Sequence, residues 1–205
     1  MRRYSENEID ELANILKEDG VISVPTDTVF GICARINSKK AFEKLVEVKN
    51  RPSNKSFPVV CLNEEQIEEI AIVSDKAKKL IKAFMPGPIT LVLNKRQEAF
   101  SYINNRGDIE SDEVAVRMAP LKILEELIGK TGMPLFLTSA NISGKDPCNN
   151  LDDIEKTFPD LDGILEGNIS YGQSSTIVDC TNNSIKIQRE GPIKLEDINN
   201  ILENN

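Results

Sequence analysis

The sequence predicts an α/β fold in which helices flank a mixed β-sheet. Short apolar runs typical of buried strands alternate with amphipathic helical segments over the whole chain of 205 residues. Some gaps between successive strands are too short to hold a crossover helix, so the neighbouring strands cannot all be parallel. No internal repeat or low-complexity linker interrupts the pattern, and residues 1–205 are therefore predicted to form a single domain.

The individual elements follow from caps and from hydrophobic periodicity. Ser5 and Glu8 form a capping-box pattern that begins the first helix, and Gly20 is a natural place for that helix to end. A buried strand is predicted at 21–25, and Ser38 caps the next helix. The same periodicities predict strands at 29–34, 57–62, 89–93, 114–117, 135–138, 164–165, 175–179 and 185–188, and helices at 64–70, 74–84, 120–130 and 195–202. The polar stretch 96–112 is predicted to be irregular.

Composition excludes several classes of protein. The chain has no histidine, which removes every histidine-dependent catalytic triad and means that a bound metal would need oxygen ligands, as Mg²⁺ does. Its four cysteines lie far apart and predict reduced side chains that fill space. With a net charge of −8, RNA binding would need a concentrated basic patch. The sequence shows neither a membrane-spanning run nor a signal segment, which predicts a soluble cytoplasmic protein with no membrane partner.

Polar side chains follow two of the predicted strands. The segment Pro-Thr-Asp-Thr-Val-Phe-Gly at 25–31 places two threonines and an aspartate where the first strand ends. Such groups cost free energy at the end of a buried strand unless something binds them, although a turn stabilised by Asp and Thr is the alternative. At 137–144 the segment Leu-Thr-Ser-Ala-Asn-Ile-Ser-Gly repeats the pattern, and its side chains can hold backbone, phosphate or ribose oxygens.

A cluster of cations lies at 49–55, in the segment Lys-Asn-Arg-Pro-Ser-Asn-Lys. Cations at a helix C-terminus ordinarily stabilise the helix, which is one interpretation. Because Pro52 turns the chain, Arg51 and Lys55 can also converge on one point. Arginine binds phosphate with two parallel hydrogen bonds and lysine supplies a point charge. In an acidic protein this cluster is the predicted place for a polyphosphate.

A single arginine, Arg117, ends the apolar run Val-Ala-Val-Arg-Met at 114–118. A buried arginine needs an anionic partner. The carboxylate of a small substrate and an internal ion pair with Asp or Glu are both open as that partner. Two further segments, Pro-Gly-Pro-Ile-Thr at 86–90 and Gly-Gln-Ser-Ser-Thr-Ile-Val-Asp at 172–179, are typical of a tight turn and of a polar strand edge.

Taken together and in this order, these segments resemble the YrdC family of threonylcarbamoyl-AMP synthases, from Gly20 to Pro192. The resemblance implies a twisted sheet around a concave, positively lined cleft. It implies a reaction in which L-threonine, bicarbonate and ATP, with Mg²⁺, give L-threonylcarbamoyl-adenylate and pyrophosphate. The product would pass to a threonylcarbamoyl-transferase complex for the t6A modification of tRNA. Such chemistry depends on positioning and on charge neutralisation, and it requires no general base from the protein.

The resemblance also assigns the site residues. It places the threonine substrate at Thr28, Arg117, Thr138 and Ser175, and the ATP phosphates and catalysis at Lys49, Arg51 and Lys55. It places the nucleotide at Ser139, Asn141 and Arg189, with Ser139 and Asn141 on the Mg²⁺ side. Phe30 stands where the family has a tyrosine, and two histidines that many members carry are absent.

Two alternative functions are weighed against this one. A double-stranded RNA-binding module is disfavoured by the net charge of −8 and by an aromatic content of 5%. A carbamoyl-adenylate-forming enzyme of the hydrogenase-maturation type would carry acylphosphatase-like and zinc-binding modules that this sequence lacks. The expectation is therefore a short synthase without the additional C-terminal domain of longer members.

Overall fold

The computed structural model describes residues 1–50, 57–99, 105–106, 109–110, 112–118, 121–169, 173–182 and 184–203. The strands are β1 (Arg3–Tyr4), β2 (Ile22–Val24), β3 (Gly31–Arg35), β4 (Val59–Cys61), β5 (Ala71–Ile72), β6 (Ile89–Lys95), β7 (Asn105–Arg106), β8 (Ile109–Glu110), β9 (Glu113–Met118), β10 (Leu135–Ser139), β11 (Gly163–Leu165), β12 (Thr176–Asp179) and β13 (Lys186–Arg189). The α-helices are α1 (Ile9–Lys17), α2 (Lys39–Lys49), α3 (Glu64–Ile70), α4 (Asp75–Phe84), α5 (Lys122–Thr131), α6 (Leu151–Thr157) and α7 (Leu195–Glu203), and a 3-10 turn (Glu6–Glu8) precedes α1.

Eleven of the strands form one mixed sheet, as the sequence predicts. Their order is β1-β11-β2-β3-β10-β4-β9-β6-β12-β13, and β5 pairs with β6. The pairs β1–β11, β11–β2, β4–β9 and β6–β12 are parallel, and the others are antiparallel. The strands β7 and β8 form a separate hairpin inside the stretch that the sequence predicts to be irregular.

Local side-chain chemistry sets the helix ends. Ser5 and Glu8 form the predicted capping box, and the Ala41 N–H donates to Ser38 Oγ at 3.1 Å. The first helix ends at Lys17, earlier than the predicted stop at Gly20. Position 20 requires a glycine for a different reason: the backbone there lies so close to Ile15 that a Cβ would be 2.7 Å from the Ile15 carbonyl oxygen.

Four elements have no counterpart in the sequence predictions: β1, β5, the β7–β8 hairpin and α6. The strands β1 and β5 have two residues each, too few for a period-two pattern to be recognised. The helix α6 does carry a local signal, since the Asp153 N–H donates to the Asn150 side chain at 2.9 Å. No helix within the described residues has the length and apolar character needed to cross a membrane.

Helices cover one face of the sheet almost throughout. Alternate strand residues such as Val59, Val116 and Phe136 point to this face and pack against α2, α3, α4 and α7. The rings of Phe42, Phe57 and Phe136 meet there with centroids 5.4–6.2 Å apart. This face holds the larger of the two apolar cores.

The second face is covered over only part of its width. Helices α1 and α5 bury Leu12, Leu16, Leu124, Leu127 and Ile128 against residues of β2, β3, β10 and β4. Beyond β4, over β9, β6 and β12, the same face forms the floor of a cleft. All the described residues that line this cleft come from strands and from the loops at their ends, and none comes from a helix.

Candidate functional site

The cleft has a volume of about 260 Å³. Its floor follows from the period-two alternation of the strands: Val114 and Val116 of β9 point into the larger core, so Ala115 and Arg117 face the cleft. Thr90 of β6 and Ile177 of β12 face it in the same way. The floor therefore combines small and apolar side chains with hydroxyls and two arginines.

Strand register aligns four of these residues across the floor. Thr90 pairs with Ile177, and Ile177 pairs with Arg189. Arg117 follows Val116, whose partner Leu91 follows Thr90, so Arg117 and Thr90 are neighbours on adjacent strands. We call Arg117, Thr90, Ile177 and Arg189 the cleft row. An arginine stands at each end of it, and the described residues that line the cleft contain one acidic side chain, Glu113.

Arg117 is buried and joins three segments of the chain. Its Nη2 donates to both carboxylate oxygens of Asp27, at 2.8 and 3.0 Å, and to the Gly87 carbonyl at 2.7 Å. Nη1 lies 3.5 Å from Thr28 Oγ1, and the buried Nε has no partner among the described residues. Burial lowers the pKa of Arg117, and the charge of Asp27 acts in the opposite direction. Of the two partners left open by the sequence, the internal ion pair is present.

Thr26 organises the loop that carries Asp27 and Thr28. The N–H groups of Thr28 and Val29 donate to Thr26 Oγ1 at 3.1 and 3.2 Å, and that hydroxyl donates to the Val29 carbonyl at 2.6 Å. The turn interpretation thus accounts for Thr26. Thr28 is also buried, and it lines the cleft next to Arg117.

Arg189 and Ser175 form the opposite wall. Arg189 donates from Nε and Nη2 to the Ser175 carbonyl at 3.0 and 2.8 Å, and Ser175 Oγ lies 2.9 Å from Thr90 Oγ1. Burial and the nearby charge of Arg117 lower the pKa of Arg189. Among the described residues Arg189 has no carboxylate in ion-pair contact, which leaves its charge available to an anion in the cleft.

Gly191 packs closely against the backbone that precedes β12 on this side of the cleft. A Cβ at Gly191 would lie 2.5 Å from the Thr176 nitrogen and 2.6 Å from the Ser174 carbonyl oxygen. Thr176 adds two bonds, because its hydroxyl donates to the Ile193 carbonyl at 2.8 Å and accepts from the Ile193 N–H at 3.0 Å. The chain after Arg189 therefore folds directly onto the start of β12.

Lys49 lies beneath the loop that follows β10. It is 1% exposed, and its ammonium donates to the carbonyl oxygens of Ser139 and Asn141 and, at 3.0 Å, to Asn141 Oδ1. The described lining of the cleft includes Thr138 and Ser139 but not Lys49 or Asn141. The structure thus places Lys49 as a support of this loop, where the resemblance implies a contact with phosphate. The reason is helical periodicity: Lys49 is the last residue of α2 and lies on the same buried face as Phe42 and Leu45.

Asn141 does not fit a direct Mg²⁺ ligand in this arrangement. Its Oδ1 already accepts from Ser139 Oγ at 2.6 Å and from the Lys49 ammonium, and a neighbouring cation opposes a second one. The described residues contain no group of three or more Cys, Asp or Glu side chains that could hold a metal. Arg51 and Lys55, the other two predicted phosphate contacts, lie outside the described residues.

Three residues of the site have no role in the sequence predictions: Asp27, Gly87 and Thr90. Asp27 carries a signal, since an aspartate directly after a buried strand needs a partner. Gly87 and Thr90 belong to the segment at 86–90, for which the turn interpretation was favoured. The turn is present, and it also directs the Gly87 carbonyl to Arg117.

Comparison of the sequence with known proteins identifies a family and several relatives. The Sua5/YciO/YrdC family model, described as "Telomere recombination", matches residues 14–191. A putative threonylcarbamoyl-AMP synthase of Methanocaldococcus jannaschii is 31% identical in an alignment of 198 residues that covers 94% of this chain and 91% of that protein. A threonylcarbamoyl-AMP synthase of Bacillus subtilis is 32% identical over 95% of this chain, which spans 56% of that longer protein.

Solved structures support the same grouping. The crystal structure of Pyrococcus abyssi Sua5 complexed with L-threonine superposes with a TM-score of 0.90 at 29% identity, over 98% of this chain and 60% of that one. E. coli YciO, at 20% identity, shares the fold with a TM-score of 0.86 over 96% of this chain. The predicted fold class, a twisted mixed sheet with flanking helices, is confirmed.

Proposed function

The chain belongs to the Sua5/YciO/YrdC family, and from that membership we propose that it is a threonylcarbamoyl-AMP synthase. It joins L-threonine, bicarbonate and ATP into L-threonylcarbamoyl-adenylate and pyrophosphate. The observation that carries this proposal is the cleft row, in which two arginines face one small cleft whose described lining has several hydroxyls and one acidic side chain, Glu113. A site of this kind suits a ligand with two anionic groups. The names of the relatives favour this activity over RNA binding and over carbamoyl-adenylate formation.

The threonine carboxylate binds Arg117 through N–H groups that Asp27 leaves unbonded. Nη1 has one contact, at 3.5 Å, and provides such donors, and a bond to the buried Nε would remove the free-energy cost of leaving that N–H unpaired. Thr28, Thr138 and Ser175 supply hydroxyls around the same point of the cleft. The solved complex of the P. abyssi relative with L-threonine supports threonine as a substrate.

The nucleotide binds toward Arg189 and Ser139. Arg189 offers a charge to phosphate, and Arg51 and Lys55 add cations from the segment that follows α2. Lys49 contributes by fixing the loop of Ser139 and Asn141. Mg²⁺ would enter as part of the ATP substrate, and it would supply neutralisation of the charge on the leaving pyrophosphate.

Positioning explains the reaction. The threonine amine adds to CO₂ derived from bicarbonate and loses a proton to give a carbamate. A carbamate oxygen then attacks the α-phosphorus of ATP, and the bond from that phosphorus to the bridging oxygen breaks to release pyrophosphate. The arginines hold the threonine carboxylate and the ATP phosphates close to each other. The reaction therefore takes place within one bound complex and does not depend on a chance encounter of free reactants. The adenylate then passes, in the cytoplasm, to a threonylcarbamoyl-transferase complex that modifies tRNA.

Pyrophosphate release tests this function. The purified protein with Mg²⁺ and ATP should release pyrophosphate only when threonine and bicarbonate are both present. Serine and valine, each lacking one feature of the threonine side chain, serve as matched controls for the substrate. Release of orthophosphate, or pyrophosphate release that ignores threonine, would contradict the proposal.

A further inference from the structure

We propose that Asp27 is a positioning residue that holds Arg117 in the orientation needed for the threonine carboxylate. This inference rests on the proposed function of the cleft. Asp27 is 5% exposed and is not among the residues that line the cleft, so it acts through Arg117 without touching the substrate.

The contacts among the described residues engage one nitrogen of the guanidinium fully and the other two only weakly or not at all. Nη2 is engaged by both oxygens of Asp27 and by the Gly87 carbonyl, so it has no donor left for a ligand. Nε is buried without a described partner, and Nη1 has one contact, at 3.5 Å. Because the guanidinium is planar, anchoring Nη2 also fixes where Nε and Nη1 point.

Charge provides a second reason for Asp27. A guanidinium buried to this extent would be destabilised without a counter-ion, and Arg189 nearby adds like charge. Asp27 compensates the charge of Arg117. The ion pair uses one nitrogen, Nη2, and leaves Nε and Nη1 without a carboxylate contact among the described residues.

Kinetics of Asp27→Asn provide the first test. The amide keeps the size of the side chain but loses its charge and one acceptor. We expect the KM for threonine to rise about tenfold or more, while the KM for ATP changes by less than about threefold. The matched control is Asp162→Asn, which removes the partly buried ion pair of Asp162 with Lys44, at 2.6 Å, from a residue that does not line the cleft. Both KM values should stay unchanged there.

A double-mutant cycle tests whether Asp27 acts through Arg117. Arg117→Lys keeps the charge but loses the planar fork, so there is no plane left to orient. In that background, Asp27→Asn should change the KM for threonine by less than about threefold. Fully additive effects of the two substitutions would overturn the inference, as would equal changes in the KM for threonine and the KM for ATP.

A spectroscopic measurement covers the case in which Asp27→Asn does not fold. In the wild-type protein the Nε–H resonance of Arg117, assigned by its loss in Arg117→Lys, should shift on addition of threonine alone. In Asp27→Glu, which keeps the charge on a longer arm, the threonine concentration for half of that shift should rise by about threefold or more. An unchanged half-shift concentration would overturn the inference. A wild-type protein without threonine-dependent turnover would instead reject the proposed function, so the two failures can be told apart.

Discussion

The second face of the sheet has two halves that share a backbone pattern and differ in what lies over them. In the half under α1 and α5, the residues that point outward include Cys33, Val60 and Leu135, all buried in a continuous apolar cluster. In the half over β9, β6 and β12, the equivalent positions include Arg117 and Thr90. The strands alternate in the same way in both halves, so the pleat does not distinguish them.

The two halves contribute to the stability of the folded protein in different ways. The covered half gains stability because apolar area is removed from water. The open half presents polar groups whose bonds are partly unfilled, and an unfilled buried donor such as Arg117 Nε lowers stability until a ligand arrives. Substitutions in the covered half should therefore change folding and leave binding intact, and substitutions in the open half should do the reverse.

The largest expected effect tests the covered half. Leu127 of α5 is fully buried beneath this half, and Leu127→Ala should lower the free energy of unfolding by about 2–5 kcal/mol because it leaves a cavity. Urea unfolding measures the loss. The KM values for threonine and ATP should stay within about twofold of the wild type. A raised KM for threonine without a loss of stability would break the comparison.

A smaller effect is expected at the edge of the open half. Gly191→Ala forces a Cβ against the backbone of 174–176, which should cost about 1–3 kcal/mol and displace Arg189. We therefore expect both a lower unfolding midpoint and weaker ATP binding. The matched control is Gly129→Ala in α5, where a Cβ meets nothing within 4 Å. That substitution should stabilise the helix by about 0.5–1 kcal/mol and leave ATP binding unchanged; weaker ATP binding in this control would contradict the comparison.

Loss of the Arg189 charge should affect binding more than folding. A charge-assisted hydrogen bond is worth about 1.5–3 kcal/mol, so Arg189→Gln should weaken the binding of a non-hydrolysable ATP analogue about tenfold or more. Calorimetry measures the affinity. Arg35→Gln is the control, because Arg35 bonds to the Lys17 carbonyl on the covered side. Equal affinities in the wild type, Arg189→Gln and Arg35→Gln would show that Arg189 does not bind the nucleotide.

The smallest effect concerns the pH dependence of the β12–β13 hairpin. Partial burial would raise the pKa of Asp179, but hydrogen bonds from Thr181 and Gln188 outweigh it and lower that pKa below its usual value of 3.8. A depressed carboxylate pKa stabilises the folded state above pH 3.8, and this contribution disappears as the pH falls through the folded value. Unfolding at pH 6 should therefore distinguish Asp179→Asn from the wild type, and unfolding at the lowest accessible pH should not. A difference that persists in acid would exclude the titration of Asp179 as its cause.

Local chemistry made most of the fold predictable. The capping box at Ser5, the cap at Ser38 and the helix Glu64–Ile70 depend on residues within a few positions of each other, and all three were predicted correctly. The short strand β1 could not be predicted, because its partner β11 lies about 160 residues away and two residues carry no periodicity. Pairing over such a distance depends on the whole sheet.

The sequence predicted which segments form the candidate site, but it did not predict which contacts their side chains make. Polar groups at strand ends pointed to the loop of Asp27 and Thr28 and to Arg117, and the structure brings both to one cleft. The ion pair between residues 90 positions apart could not be distinguished from a substrate contact by sequence. Lys49 stays a predicted phosphate contact, and its bonds to the loop of Ser139, 90 positions away, could not be predicted from its sequence neighbourhood.

The charged lining of the cleft also determines how the proposed reaction responds to proton concentration. Arginine stays charged at any physiological pH, and no histidine exists in the chain to titrate near neutrality. Burial raises the pKa of the Cys180 thiol to about 12, so that side chain stays protonated as well. Titrations of the substrates themselves, namely of the threonine ammonium and of the equilibrium between CO₂ and bicarbonate, therefore enter the pH dependence of the reaction. Acidification would slow the reaction by withholding free amine, while the two arginines of the cleft row keep their charge.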